Sequence, residues 1–229
     1  SFSALQAVAD ERSEADIKQL ALEAILENPE IVMQAVEILQ QRDRQAQEAA
    51  AQDILSSQRE LLEDDPNAPV IGNPEGDATI VEFFDYNCPY CKSAAPIVKA
   101  MISKDSDLRV VYREWPILGE GSVFAARAAL AARKQGKYEE FHWALMELKG
   151  RATEASVMKA VRDLGLDESQ LRFDMNSPEV EEHIQTSMEL ASSLGFSGTP
   201  SFVVGDALAP GLVPEDELKL LVSAIRNAN

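Results

Sequence analysis

The sequence has little cysteine and little base. Two cysteines in 229 residues exclude a scaffold held by several disulfides, and they exclude a four-thiolate zinc site. Lysine and arginine number 21 against 39 aspartates and glutamates, a net charge of -18. Such a surface is a poor partner for nucleic acid or anionic membrane. No apolar run approaches the roughly 20 residues that a membrane helix needs. Ser1 to Arg12 carry no basic start, apolar core and small-residue cleavage site, so the chain reads as either cytoplasmic or already processed. Hydrophobic residues make up 45% and charged residues 26%, which excludes disorder throughout and leaves room for a packed core.

A second set of absences divides the chain. Residues 1–65 contain no cysteine, glycine or tryptophan, and hold 15 acids against 5 bases. The boundary is placed at 65/66, where Asp64-Asp65-Pro66-Asn67-Ala68-Pro69 reads as a linker. The first region reads as helix. Asp16 is the expected cap of a segment with Ile17, Leu20, Ala21 and Ala24 at helical spacing. Asn28-Pro29 breaks it, and a second helix starts near Glu30 with the stripe Val32, Ala35, Val36, Leu39. From Gln40 to Gln52 the sequence favours helix but has little to bury, as in a semi-rigid spacer. The amphipathic pair can pack on its own domain or on copies of itself. The spacer, which would hold the stripe away from any core, favours self-association.

The remainder alternates strand and helix signals. Pro69 to Pro74 reads as an edge segment and Thr79 to Phe84 as a buried strand. Cys88 to Ser103 reads as a helix with Pro89 in its first turn, where a missing N–H costs nothing. Leu108 to Tyr112 is the next strand. Helical patterns follow over roughly 121–135, 137–148, 154–164 and 178–194. Ser201 to Val204 is a strand, Gly205-Asp206 a hairpin turn, and Pro214 to Asn227 a closing helix.

Cys88-Pro89-Tyr90-Cys91 carries the chemistry. A strand feeds the pair and the pair opens a helix, which puts Cys88 at the positive end of the helix dipole beside unpaired N–H groups. Those donors stabilise a thiolate, the attacking species in disulfide exchange. Lowering a thiol pKa from about 8.5 to about 5 is worth roughly 5 kcal/mol, and each 1.4 kcal/mol moves a two-electron couple by about 30 mV. Cys91, one turn later, is the expected resolving thiol. Three other uses are open to the pair: a structural bridge, a Cu(I)-binding dithiol, or half of a zinc site. A bridge over three residues constrains almost nothing. Zinc would need two more ligands, and His142 and His183 stand on polar helical patterns that suit structural or solvated roles. Soft thiolates do suit Cu(I), but the six methionines are scattered.

Phe83 to Lys92, which contains the cysteine pair, resembles the active-site segment of the DsbA-like thioredoxin superfamily. Gly198-Thr199-Pro200-Ser201-Phe202 resembles that family's cis-proline loop. The resemblance covers 66–229, with a helical insertion at about 117–195. The N-terminal extension resembles the suppressor-of-copper-sensitivity C (ScsC) subgroup, whose members can carry an oligomerisation region. The implied architecture is α/β: a thioredoxin fold with an inserted helical domain, preceded by an α-helical oligomerisation arm.

The resemblance implies roles for particular residues. Cys88 corresponds to an exposed nucleophile and Cys91 to the resolving cysteine. Pro89 and Tyr90 form the dipeptide that tunes the couple, and Pro200 is the cis-proline. Threonine before that proline, here Thr199, is typical of isomerases and reductive members, whereas valine is typical of the strong oxidase. Pro-Tyr departs from the oxidase's Pro-His. Glu82, which interrupts an apolar strand, corresponds to the family's acidic residue beneath the active site and would take the proton from Cys91.

The expected function is that of a periplasmic thiol-disulfide isomerase. It would need no cofactor beyond the redox-active Cys88–Cys91 pair. Its clients would be misfolded or mis-oxidised periplasmic proteins, its reductant a membrane protein of ScsB or DsbD type, and its assembly a homo-oligomer, with a trimer favoured. The alternatives are a DsbA-like dithiol oxidase and a copper-binding or copper-resistance protein in which Cys88 and Cys91 hold Cu(I).

Overall fold

The computed structural model describes residues 13–228. The chain divides into two units, residues 1–49 and 50–229. The stretch read above for a leader, residues 1–12, lies outside the described residues.

In the first unit, α1 (Glu14–Glu27) is started by Ser13 rather than by Asp16. The Ser13 hydroxyl accepts from the Asp16 backbone N–H, and the Asp16 carboxylate accepts from the Ser13 N–H, closing a capping box. Asp16 thus completes the cap three residues in. Asn28 ends the helix ahead of Pro29, as expected, and α2 (Glu30–Ser57) follows, its residues up to 49 belonging to this unit. The apolar residues of this unit are exposed, Leu26 and Met33 by more than 60%.

The second unit begins at Ala50, earlier than the expected boundary at 65/66. Ala51 is buried, and Leu55 and Leu62, the latter in α3 (Arg59–Glu63), are buried with Val81, Phe83, Val111 and Trp115. The stretch 64–66 is fastened rather than loose. The buried Arg113 guanidinium pairs with Asp65 at 2.6 Å and donates to the Leu62 carbonyl, and Arg133 donates to the Pro66 carbonyl.

A five-stranded sheet runs in the order β1-β3-β2-β4-β5. Its strands are β1 (Val70–Gly72), β2 (Ala78–Phe84), β3 (Leu108–Glu114), β4 (Ser201–Val204) and β5 (Ala207–Pro210). The central pair β2 and β3 is parallel, and the other pairings are antiparallel. Parallel neighbours require a crossover, which α4 (Pro89–Lys104) supplies. β2 is buried on both faces, so it reads as a continuous apolar run with Glu82 as its exception.

Between β3 and β4 lie α5 (Glu120–Arg133), α6 (Tyr138–Met146), α7 (Glu154–Asp163), α8 (Glu168–Asp174) and α9 (Pro178–Ser193). The short α8 has no counterpart in the sequence reading, because seven residues hold too few turns for a period to register. The closing helix is α10 (Glu215–Ala228). His142 and His183 are fully buried, against the reading that placed them on polar faces. Trp115 packs edge-on against Phe83, a structural role.

Candidate active site

β2 ends at Phe84, three residues follow the end of this central strand, and Cys88 becomes the N-cap of α4 with Pro89 opening the helix. Both cysteines are free thiols. Cys91 is completely buried. Cys88 retains 4% of its surface, far less than an exposed nucleophile suggests. The cis-proline loop covers it: the Cys88 Sγ lies 3.1 Å from the Thr199 carbonyl oxygen, and the Thr199–Pro200 peptide bond is cis. Tyr90, between the cysteines, is exposed. Strand β4 sets this arrangement, because it begins at Ser201 opposite Phe83 and so brings Pro200 beside the end of β2.

The two thiols are electrostatically unlike. Cys88 is lowered to about 5, chiefly by the hydrogen bond from the Cys91 thiol, with further help from the Thr199 side chain and from the backbone N–H groups of Cys91 and Tyr90. Burial opposes this and is outweighed. Cys91 is pushed far up, first by burial and then by its bond to Cys88 and the nearby Glu82 charge. At neutral pH the pair is therefore a thiolate beside a thiol.

Glu82 is 1% exposed, on the sheet face that carries Ile80 and Phe84 toward the Cys91 side of the core. Its Oε1 has no hydrogen-bond partner. Burial and then the Cys88 charge raise its pKa to about 8. Such a carboxyl holds a proton at neutral pH and can exchange it there.

Sequence reasoning missed a second polar cluster, around Glu114. Tyr86 and Tyr138 both donate to Glu114 Oε1, at 3.1 and 3.0 Å. Tyr86 Oη lies 3.0 Å from His142 Nδ1, and the Glu114 N–H donates to His183 Nε2. Burial raises Glu114 well above the ordinary carboxylate range, against the pull of the two tyrosine hydrogen bonds, and lowers His142 to about 3. Burial of an acid at the end of a strand leaves no mark in the letters, because Glu114 reads equally well as an exposed terminus.

The residues flanking the pair were missed as well. Asp85 accepts at Oδ1 from the Asn87 N–H and at Oδ2 from the Leu118 N–H. Asn87 bonds Ser122 and Ala152, and Lys92 bonds Leu148 and Gly150. Among the described residues no cluster of three or more His, Cys, Asp or Glu side chains is arranged to hold a metal ion. No described helix is long and apolar enough to cross a membrane.

Comparison with known proteins locates both parts of the chain. Residues 79–225 match the DSBA-like thioredoxin domain family, and residues 14–46 match the copper resistance protein ScsC N-terminal domain. A thioredoxin-like oxidoreductase from Silicibacter pomeroyi is 61% identical, with a TM-score of 0.73, over 75% of this chain and 99% of that one. A linker-deletion variant of Proteus mirabilis ScsC is 28% identical with a TM-score of 0.71, and each chain is covered completely. An Na(+)/H(+) antiporter NhaA of Salinispora arenicola is 31% identical over 143 residues, which are 61% of this chain and 22% of that protein. The chain thus spans about a fifth of the length of the first curated relatives it matches.

Proposed function

The chain belongs to the DSBA-like thioredoxin domain family, and on that premise we propose that it is a thiol-disulfide oxidoreductase of the DsbA and ScsC type, working as a periplasmic isomerase. The observation that carries the chemistry is the asymmetry of the pair. A Cys88 thiolate attacks a client disulfide, and one client sulfur leaves as a thiolate. The freed client thiolate attacks another client disulfide, the thiolate released there attacks the client sulfur of the mixed disulfide, and Cys88 departs as the thiolate it began as. Cys91 stays protonated and in reserve. When a mixed disulfide stalls, the Cys88 charge that helps to keep Glu82 protonated is gone, Glu82 in its ionised form accepts the Cys91 proton, and Cys91 displaces the client as a dithiol. The Thr199–Pro200 loop, beside Cys88, presents backbone along which a client segment can lie.

Isomerisation rather than one-way oxidation is favoured by Thr199 and by the arm. The apolar side chains of α1 and the first turns of α2 stand exposed, and the match to the ScsC N-terminal domain covers those residues. Assembly through them, as a trimer, would place several dithiols around one client and raise their effective concentration. Clients would be mis-oxidised periplasmic proteins. Isomerisation consumes no electrons but requires the reduced pair, so a membrane reductant of ScsB or DsbD type is the partner. Cu(I) binding by the dithiol is a second reading, favoured by soft thiolates and by the name of the N-terminal family.

The test is a client carrying scrambled disulfides, incubated with the reduced protein. Restoration of client activity supports the isomerase. Oxidation of a reduced client without any restoration of the scrambled one assigns the protein to the oxidases.

A further inference from the structure

The Cys-Pro-Tyr-Cys segment is bracketed by two residues whose side chains hold the same stretch of backbone. Immediately before it, Asn87 accepts at Oδ1 from the Ala152 N–H at 2.7 Å and donates through Nδ2 to the Ser122 hydroxyl at 3.0 Å and the Ala152 carbonyl at 3.4 Å. Immediately after it, the Lys92 ammonium donates to the carbonyls of Leu148 at 2.7 Å and Gly150 at 2.8 Å. Leu148, Gly150 and Ala152 all lie in the connection between α6 and α7, inside the helical insertion. That connection has no slack at this point, since a Cβ on Gly121 would sit 2.1 Å from the Ala152 carbonyl oxygen.

The start of α4 is fastened locally by backbone alone, the Cys88 N–H donating to the Asp85 carbonyl at 3.0 Å. Its N-cap is Cys88, which makes no capping bond with its side chain, and Pro89 contributes no N–H. The donors that face the Cys88 sulfur are the N–H groups of Tyr90 and Cys91 and the Cys91 thiol. These three belong to this first turn, and the Thr199 side chain adds a fourth from the cis-proline loop. Hydrogen bonds weaken steeply with misalignment, so the direction of the turn decides how well these donors serve a thiolate. The groups that fix the direction come from the insertion, through Asn87 on one side and Lys92 on the other.

We propose that Asn87 and Lys92 are positioning residues, which grip the α6–α7 connection so that the helical insertion sets the alignment of the first turn of α4 and thereby the redox balance of the Cys88–Cys91 pair. The inference rests on the pair being redox-active, and deepens that reading by naming what regulates it. It concerns neither the client nor isomerisation.

The experiment is equilibration of the full chain with glutathione. Two glutathione thiols become one glutathione disulfide as the Cys88–Cys91 disulfide becomes two thiols, so electrons and protons balance. The companion readout is ultraviolet titration of the Cys88 thiolate. Asn87→Ala, which changes no charge, raises the titration midpoint by about one unit and shifts the equilibrium about tenfold toward the protein disulfide. Lys92→Met shifts it the same way. The double variant shifts it by less than the product of the two, because both act through one connection. Ser122→Ala, which removes a single partner of Asn87, gives a smaller shift in the same direction and serves if Asn87→Ala does not fold. Variants that melt at lower temperature but keep the wild-type titration midpoint and glutathione equilibrium overturn the proposal, as does a double variant equal to the product of the singles. A wild-type pair that glutathione never reduces would instead overturn the redox reading beneath it.

Discussion

The Cys88 sulfur and the Thr199 carbonyl oxygen lie 3.1 Å apart although 111 residues separate them in the chain. The β2–β4 pairing creates that contact and covers the thiol, while the Cys91 thiol, the Thr199 side chain and the N–H groups of Tyr90 and Cys91 favour its ionised form. Covering by the Thr199–Pro200 loop costs Cys88 its exposure, yet the donors around the sulfur outweigh the burial.

The Cys88 thiolate should titrate near pH 5 in the reduced protein, followed by ultraviolet absorbance. Replacing Cys91 by Ala should move the midpoint up, because the Cys91 thiol is the largest cause of the lowering. The folded value lies below the ordinary 9.0 of a thiol. The stabilisation of the reduced fold by this thiolate is therefore complete above the unfolded thiol's range and is lost as pH falls toward about 5. A midpoint unmoved by Cys91→Ala would show that the backbone donors and the Thr199 side chain suffice without the Cys91 thiol.

Glu82 should give the opposite slope. Its value is raised from 4.5 to about 8, so its contribution is most favourable below 4.5 and is lost as pH rises through about 8. Glu82→Gln should flatten the pH dependence of melting temperature between those limits. It should also slow release of a client from the mixed disulfide at neutral pH. Release at the wild-type rate would remove Glu82 as the proton acceptor.

Much of this was legible in the letters, and the exceptions share a cause. The strand, cysteine pair and helix around 79–104 were readable because the period changes there and proline marks the helix start. The Thr199–Pro200 loop was readable only through its resemblance. The errors concern burial that local pattern does not encode. Leu55 and Leu62 sit in a polar, helix-favouring stretch that resembles a spacer, and only Val81, Phe83 and Val111 beneath them make them core. Asp65 looks like linker charge until Arg113, 48 residues on, buries it in an ion pair. Asn87 and Lys92 look like ordinary surface residues because their partners, apart from the Ser122 hydroxyl, are backbone groups, which sequence does not distinguish.

Truncation locates the true start of the catalytic unit. A chain of residues 50–229 should melt close to the full chain's catalytic unit, whereas 66–229 should melt well below it. Loss of a buried leucine costs about 2–5 kcal/mol, and each kcal/mol lowers the midpoint of a domain this size by about 2–4 °C. Equal melting of the two truncations would make Leu55 and Leu62 dispensable.

The Arg113–Asp65 pair should be costly to break. Asp65→Ala leaves a guanidinium buried at 0% exposure without its carboxylate, a loss of about 3–5 kcal/mol by denaturant unfolding. A change under about 1 kcal/mol would mean that the Leu62 carbonyl and water suffice for Arg113.

The most direct measurement compares the whole chain with residues 50–229 on a scrambled-disulfide client, at equal concentration of active sites and in a reducing buffer. If the arm makes an isomerase by assembling dithiols, the whole chain restores client activity, the truncation restores little, and both reduce a simple disulfide equally. Equal restoration by the two proteins would contradict the assembly claim, and restoration by neither would contradict the isomerase itself.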